Sequence, residues 1–132
     1  LFETQRTDTN KLSQHIEKAL KKEFGFDIPV IVRDKRNILN LAKSIPSSWT
    51  NDSMHKTDVL FLWNSYDNKK TVSLLSITPQ IDNLIYVRGA IIWSLKKKNY
   101  AKSGIHKLIG TLLYKHMTVR NVNTVRKLAS LM

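Results

Sequence analysis

The chain has 132 residues, room for one ordinary domain or two small ones. With 42% apolar residues, no cysteine and a net charge of +12, it can bury a core but cannot be a disulfide scaffold, a thiolate zinc site or a cysteine-nucleophile enzyme. No apolar run approaches the roughly 18 to 20 residues of a membrane span, and the absence of cysteine fits a reducing, cytoplasmic setting.

Leu1-Phe2-Glu3-Thr4 has no initiator Met and no signal-peptide character, and reads as the tail of a strand in a trimmed part of a longer protein. Next, Leu12, Ile16, Ala19, Leu20 and Phe24 share one helical face, with Asp8 or Thr9 as cap and Gly25 as terminator. Ile28 to Arg33 is a β-rich run with Pro29 near its start, where a missing N–H is tolerated. Asp34 caps a second helix with Ile38, Leu41, Ala42 and Ile45 inward, stopped by Pro46. These residues, 1–46, form a truncated α+β unit, and the polar, aperiodic stretch 47–58 is the linker candidate.

A second unit spans 59–132. Val59 to Trp63 is a strand, Asn68 to Leu75 a short helix, and Leu84–Arg88 with Ala90–Leu95 a hairpin turning at Arg88-Gly89. Ser103 caps the strongest apolar stripe in the chain: Ile105, Leu108, Ile109, Leu112, Leu113 and Met117 predict one long helix. Thr118 to Arg120 is a short strand. Asn121 or Asn123 caps a closing helix facing inward through Val125, Leu128, Ala129 and Met132. The order β-α-β-β-α-β plus a helix is that of an α+β ferredoxin-like split βαβ sandwich.

Charge is unevenly distributed. Residues 1–66 hold ten basic side chains against eight acids, whereas residues 67–132 hold twelve against two, Asp67 and Asp82. Such a surplus points to a polyanionic partner such as nucleic acid, because phosphate binding draws on long-range attraction and counterion release; solubility alone is the plainer reading. Lys96, Lys97, Lys98 and Lys107 make a basic path from the hairpin exit, either tracking phosphates or simply solvated. The joint Arg120-Asn121-Val122-Asn123-Thr124, with Lys127 one turn on, joins a strand end to a helix N-terminus. Its free N–H groups could hold a small anion, or Asn121, Asn123 and Thr124 could merely cap. Tyr86 and Trp93 on the hairpin could stack bases or could be core.

Other chemistry is sparse. Leu60 to Asn64 echoes one RNA-recognition motif, but Arg88-Gly89-Ala90-Ile91-Ile92-Trp93-Ser94-Leu95 lacks the stacking positions of its companion. His15, His55, His106 and His116 have no metal-binding spacing, and no phosphate-cradling glycine loop or nucleophile elbow occurs. No catalytic residue, cofactor or metal is therefore expected, and a non-enzymatic binding module is favoured. A homo-oligomer or protein-interaction module pairing through an open sheet edge is the rival.

The run Thr118-Val119-Arg120-Asn121-Val122-Asn123-Thr124-Val125-Arg126-Lys127-Leu128 resembles the closing Thr-x-Arg-Asn-Trp-Asn-Thr-x-x-Lys-Leu signature of the largely bacterial domain of unknown function 1697 family, with Val122 in place of Trp. Ser103-Gly104-Ile105-His106-Lys107-Leu108 is similar to that family's Ser-Lys-Leu helix start, and Phe24-Gly25-Phe26-Asp27-Ile28-Pro29-Val30 to its Phe-Gly-x-x-Val-Pro-Val segment. The family's glycine-rich N-terminal motifs are not in this chain. The resemblance implies two ferredoxin-like units, the first truncated, and supplies no activity.

Overall fold

A computed structural model describes residues 1–132. Helix α1 spans Thr9–Phe24, its start capped by the Asp8 carboxylate, which accepts from Lys11 N–H, and its end closed by Gly25 at φ +80°. The following run was expected as a strand. It is instead unpaired with any strand, and the Val30 N–H donates to the Glu17 carboxylate of α1 at 2.9 Å. Leu1 to Thr4 likewise carries no strand. A β-rich composition fixes neither case, because a strand exists only where another supplies the ladder.

Helix α2, Lys35–Ser44, is capped by Asp34, whose Oδ1 accepts from Asn37 N–H at 2.7 Å. Strand β1, His55–Leu62, begins inside the polar stretch 47–58. There Asp52 accepts from the Thr50 hydroxyl and the Met54 and His55 amides, shaping the turn that starts the strand. Strands β2, Asn83–Val87, and β3, Ala90–Lys96, form the expected hairpin. After a four-residue helix α3, Ile105–Leu108, come strand β4, Met117–Asn121, and helix α4, Val122–Leu131.

The four strands make one antiparallel sheet in the order β2-β3-β1-β4. Central β1 and β3 are apolar on both faces, so the chain is an α+β protein with two cores. On one face, Val59, Phe61, Ala90 and Ile92 meet Ile38 and Leu41 of α2, Ile45 just after it, and Val122 and Val125 of α4. On the other, Leu60, Leu62, Ile91, Trp93 and Leu95 are covered by the connections, through Leu75, Ile105, Leu108 and Leu113. The alternation of neighbouring β1 residues between the two clusters is the period-2 pleat of a central strand.

The connections are shorter coils than expected. Asn68 to Leu75 is a 3-10 segment over Lys69–Leu74. The long helix drawn over Ile105 to Met117 is broken into α3 and a 3-10 segment, Leu112–His116. The break falls at Gly110, and Thr111 turns back with both its N–H and its hydroxyl on the Leu108 carbonyl. The break aims Leu113 at the sheet, lets the chain enter β4 at Met117, and leaves Ile109 and Leu112 exposed. Tertiary packing overrides a helical stripe here.

Candidate functional site

β1 runs antiparallel to both β3 and β4, so the C-terminal ends of β3 and β4 lie at one end of the sheet. His55 is the register partner of Lys96, and Asp58 of Asn121. Lys96, Lys97, Lys98 and Arg120 are all exposed there. Two acids share that end: Asp58, paired with Lys56 at 2.9 Å, and the turn-forming Asp52. The hydroxyl and amides that Asp52 accepts from hold its carboxyl well below the usual carboxylate range. Lys107 and Lys127 are also exposed but do not join this group directly. Lys107 lies on α3, over one face of the sheet, and Lys127 on α4, over the other.

At the strand–helix joint the polar groups are largely spent locally. Asn121 is the cap, its Oδ1 accepting from Asn123 N–H at 2.7 Å. The Asn123 amide reaches the Asn51 carbonyl at 3.1 Å, tying α4 to the turn before β1. Arg120 donates to the neighbouring Val119 carbonyl at 2.7 Å. Thr124 is exposed in the first turn and makes no side-chain hydrogen bond.

The two aromatic candidates are not equivalent. Trp93 is 0% exposed, so no ring face is open to a base; its indole N–H donates to Asp82 Oδ1 at 3.0 Å. Asp82 also accepts from the Ser103 hydroxyl and, through Oδ2, from the amides of Thr78 and Gly104, both at 2.9 Å. Burial alone would raise the Asp82 pKa, but the four donors outweigh it and the net shift is downward. This hub locks β3 to the chain entering α3. Tyr86 is half-buried against the second core, and its hydroxyl donates to Asp67 Oδ1 at 2.9 Å.

The same Asp67 oxygen accepts the Gly89 amide at 2.7 Å, which opens onto a polar cluster that motif reading did not single out. Around the Arg88-Gly89 turn, Arg33 donates through Nη2 to the carbonyls of Gly89, at 3.1 Å, and Leu62. Asn37 donates to the Arg88 carbonyl at 2.8 Å. Burial lowers the Arg33 pKa, opposed by the charges of Asp67 and Asp34. These groups floor a cleft of about 500 Å³ between the hairpin turn and the start of α2. The sequence held one signal for it: Asp67 and Asp82 are the only acids among residues 67–132, and each is a hydrogen-bond hub.

No curated protein matches the chain. It is similar to the solved structure of a conserved bacterial protein from Streptococcus pneumoniae, with a TM-score of 0.77 and 20% identity, covering 97% of this chain and 72% of that one. At that identity the likeness speaks for the fold. A family model described as a protein of unknown function, DUF1697, matches residues 1–93. That span holds the Phe24–Val30 segment, both Arg88-Gly89 clamp residues Arg33 and Asn37, and the hairpin as far as Trp93; the Thr118–Leu128 signature lies beyond it. On a match over more than half its length, the chain belongs to the DUF1697 family.

Proposed function

We propose that the chain is a non-enzymatic binding module for a polyanion such as nucleic acid, held at the basic end of the sheet. The supporting observation is that Lys96, Lys97, Lys98 and Arg120 are exposed together at the C-terminal ends of β3 and β4. Both acids of the later half are engaged as hubs elsewhere, and the acids at this end are Asp52 and Asp58, the latter paired with Lys56. Lys107 and Lys127, one over each face of the sheet, add exposed positive charge outside this group. With Trp93 enclosed, recognition rests on backbone charge and not on base stacking. The fold is read as ferredoxin-like on the strength of the antiparallel order β2-β3-β1-β4 with both crossovers on one face. In the same reading, α1 and the extended run 28–33 belong to a second unit, whereas α2 shares the core of the sheet.

Fluorescence anisotropy with a labelled single-stranded oligonucleotide across a salt series tests the proposal. Four to six phosphate contacts give a slope of log affinity on log salt of about −3 to −4. Replacing Lys96, Lys97 and Lys98 together by Ala should flatten it by about 2. A wild-type slope near zero, or weak binding unaffected by the triple replacement, rejects the reading. A concentration-dependent dimer without oligonucleotide affinity would favour pairing through the open edges of β2 or β4 instead.

A further inference from the structure

The cleft at the hairpin turn differs in kind from the basic end of the sheet. It is a concavity, and its lining is almost wholly polar, with Val32 the one hydrophobic residue. Arg36 and Arg88 are exposed on its walls, and neither side chain makes a hydrogen bond or ion pair within the protein. Asn40 and Asn64, also exposed, add amides that can both donate and accept. The two carboxylates nearby are engaged: Asp34 caps α2, and Asp67 holds Gly89 and Tyr86. Three arginines, Arg33, Arg36 and Arg88, stand against these two carboxylates, which leaves the lining with a surplus of one positive charge.

A second observation concerns the floor. Arg33 Nε and Asn37 Oδ1 are enclosed polar atoms with no hydrogen-bond partner. Both lie within 3.2 Å of where a Cβ on Gly89 would stand, so a side chain there is excluded and the two atoms are neighbours. One is a donor and the other an acceptor, and the great majority of enclosed polar groups find partners. Presenting either atom to a ligand would break the bonds that Arg33 and Asn37 make to the turn's carbonyls, and a hydroxyl reaching the floor can replace such a bond because it both donates and accepts.

We propose that this cleft binds a small sugar phosphate. The phosphate sits between the Arg36 and Arg88 guanidiniums, whose forked N–H groups match its oxygens. The sugar hydroxyls reach the exposed amides of Asn40 and Asn64, above the floor that holds Arg33 Nε and Asn37 Oδ1. About 500 Å³ is far more than a bare phosphate fills, and it lies within the range of small-molecule sites. The near absence of apolar lining leaves no platform for a nucleobase, which separates a sugar phosphate from a nucleotide.

Isothermal titration calorimetry at fixed ionic strength, with ribose-5-phosphate, inorganic phosphate and ribose as separate titrants, tests the assignment. Ribose-5-phosphate should bind saturably and at least tenfold more tightly than inorganic phosphate, with ribose alone silent. Arg36→Ala and Arg88→Ala should each weaken binding about tenfold, the loss of one charge-assisted contact. Lys97→Ala should leave it unchanged, which separates this site from the basic end of the sheet. In the wild-type protein the amide signals of Asn37 and Gly89 should shift on adding ribose-5-phosphate, a readout independent of how any variant folds. Equal affinity for the two phosphates, no effect of either arginine replacement, or shifts confined to Lys96–Lys98 would overturn the proposal.

Discussion

The Asp67 carboxylate accepts the Gly89 amide at 2.7 Å from 22 residues away in the chain. Gly89 is at φ +95°, whereas Arg88 before it is not in the left-handed region. Positive φ at only the second central residue is the mark of a type II turn, not of the primed turns whose twist suits a two-residue hairpin. Three side chains from outside the hairpin compensate: Asp67 takes the turn's N–H, and Arg33 and Asn37 take its two carbonyls. Asp67→Ala leaves the Gly89 amide and the Tyr86 hydroxyl short of a partner and the Arg33 charge without its counterweight. It should destabilise the protein by about 2 to 3 kcal/mol. Urea denaturation should show a lower midpoint with an unchanged slope.

Tyr86 donates to that same carboxylate, and burial, then the Asp67 bond and charge, push its phenol up to about 12. The unfolded chain ionises near pH 10. Between those values the unfolded state has lost a proton that the folded state keeps, so stability falls as pH rises. The contribution is whole below pH 10 and gone once pH has passed about 12. A spectrophotometric titration should resolve one of the four tyrosines as late-ionising. Tyr86→Phe should remove that phase and flatten the alkaline arm of the stability curve. Persistence of the late phase in the variant would assign it to another tyrosine.

Asp82 works in the opposite direction. Its folded pKa lies below the unfolded value near 3.9 because four donors converge on it despite its burial. Its stabilisation is therefore complete above about pH 4 and lost as pH falls through the lower folded value. Ser103→Ala removes one donor, so the acid midpoint should move up relative to wild type. Asp82→Ala removes the acceptor of all four, leaving the Trp93, Ser103, Thr78 and Gly104 donors unpaired in the interior. A loss of about 3 to 5 kcal/mol is expected by chemical denaturation. An acid midpoint unmoved by Ser103→Ala would show that the hydroxyl does not tune this carboxylate.

How much of this was legible beforehand follows from how local each signal is. Asp8, Asp34, Asn121 and Gly25 act within a few residues, and each caps or terminates the helix expected of it. The Arg88-Gly89 hairpin is equally local. Strand pairing is not: Ile28 to Arg33 has strand composition, yet its amide at Val30 is satisfied by a helix side chain. The Asp67–Gly89 and Arg33–Gly89 bonds span 22 and 56 residues, beyond any spacing rule. Only the chemistry of an isolated acid in a basic half hinted at the first of them. The basic residues were found by count alone, but count could not divide Lys107 and Lys127 between opposite faces of the sheet.

The broken helix after Ser103 supplies a paired test of why the connection takes its shape. Gly104 stands where a Cβ would lie 1.3 Å from the Ser76 carbonyl oxygen, a backbone atom that cannot step aside without moving the connection after β1. Gly110 meets nothing within 4 Å and has no positive φ. Gly104→Ala must therefore separate α3 from the Asp82 hub, with a loss of several kcal/mol and disruption of the Gly104 N–H bond to Asp82. Gly110→Ala should stabilise by roughly 0.5 to 1 kcal/mol, because it restricts the unfolded chain at a position that alanine tolerates. It also tests what breaks the helix. If glycine alone were responsible, circular dichroism of Gly110→Ala would gain helix. Because the packing of Leu113 on the sheet and the pairing of Met117 within β4 hold the break open, helicity should stay unchanged while the melting temperature rises.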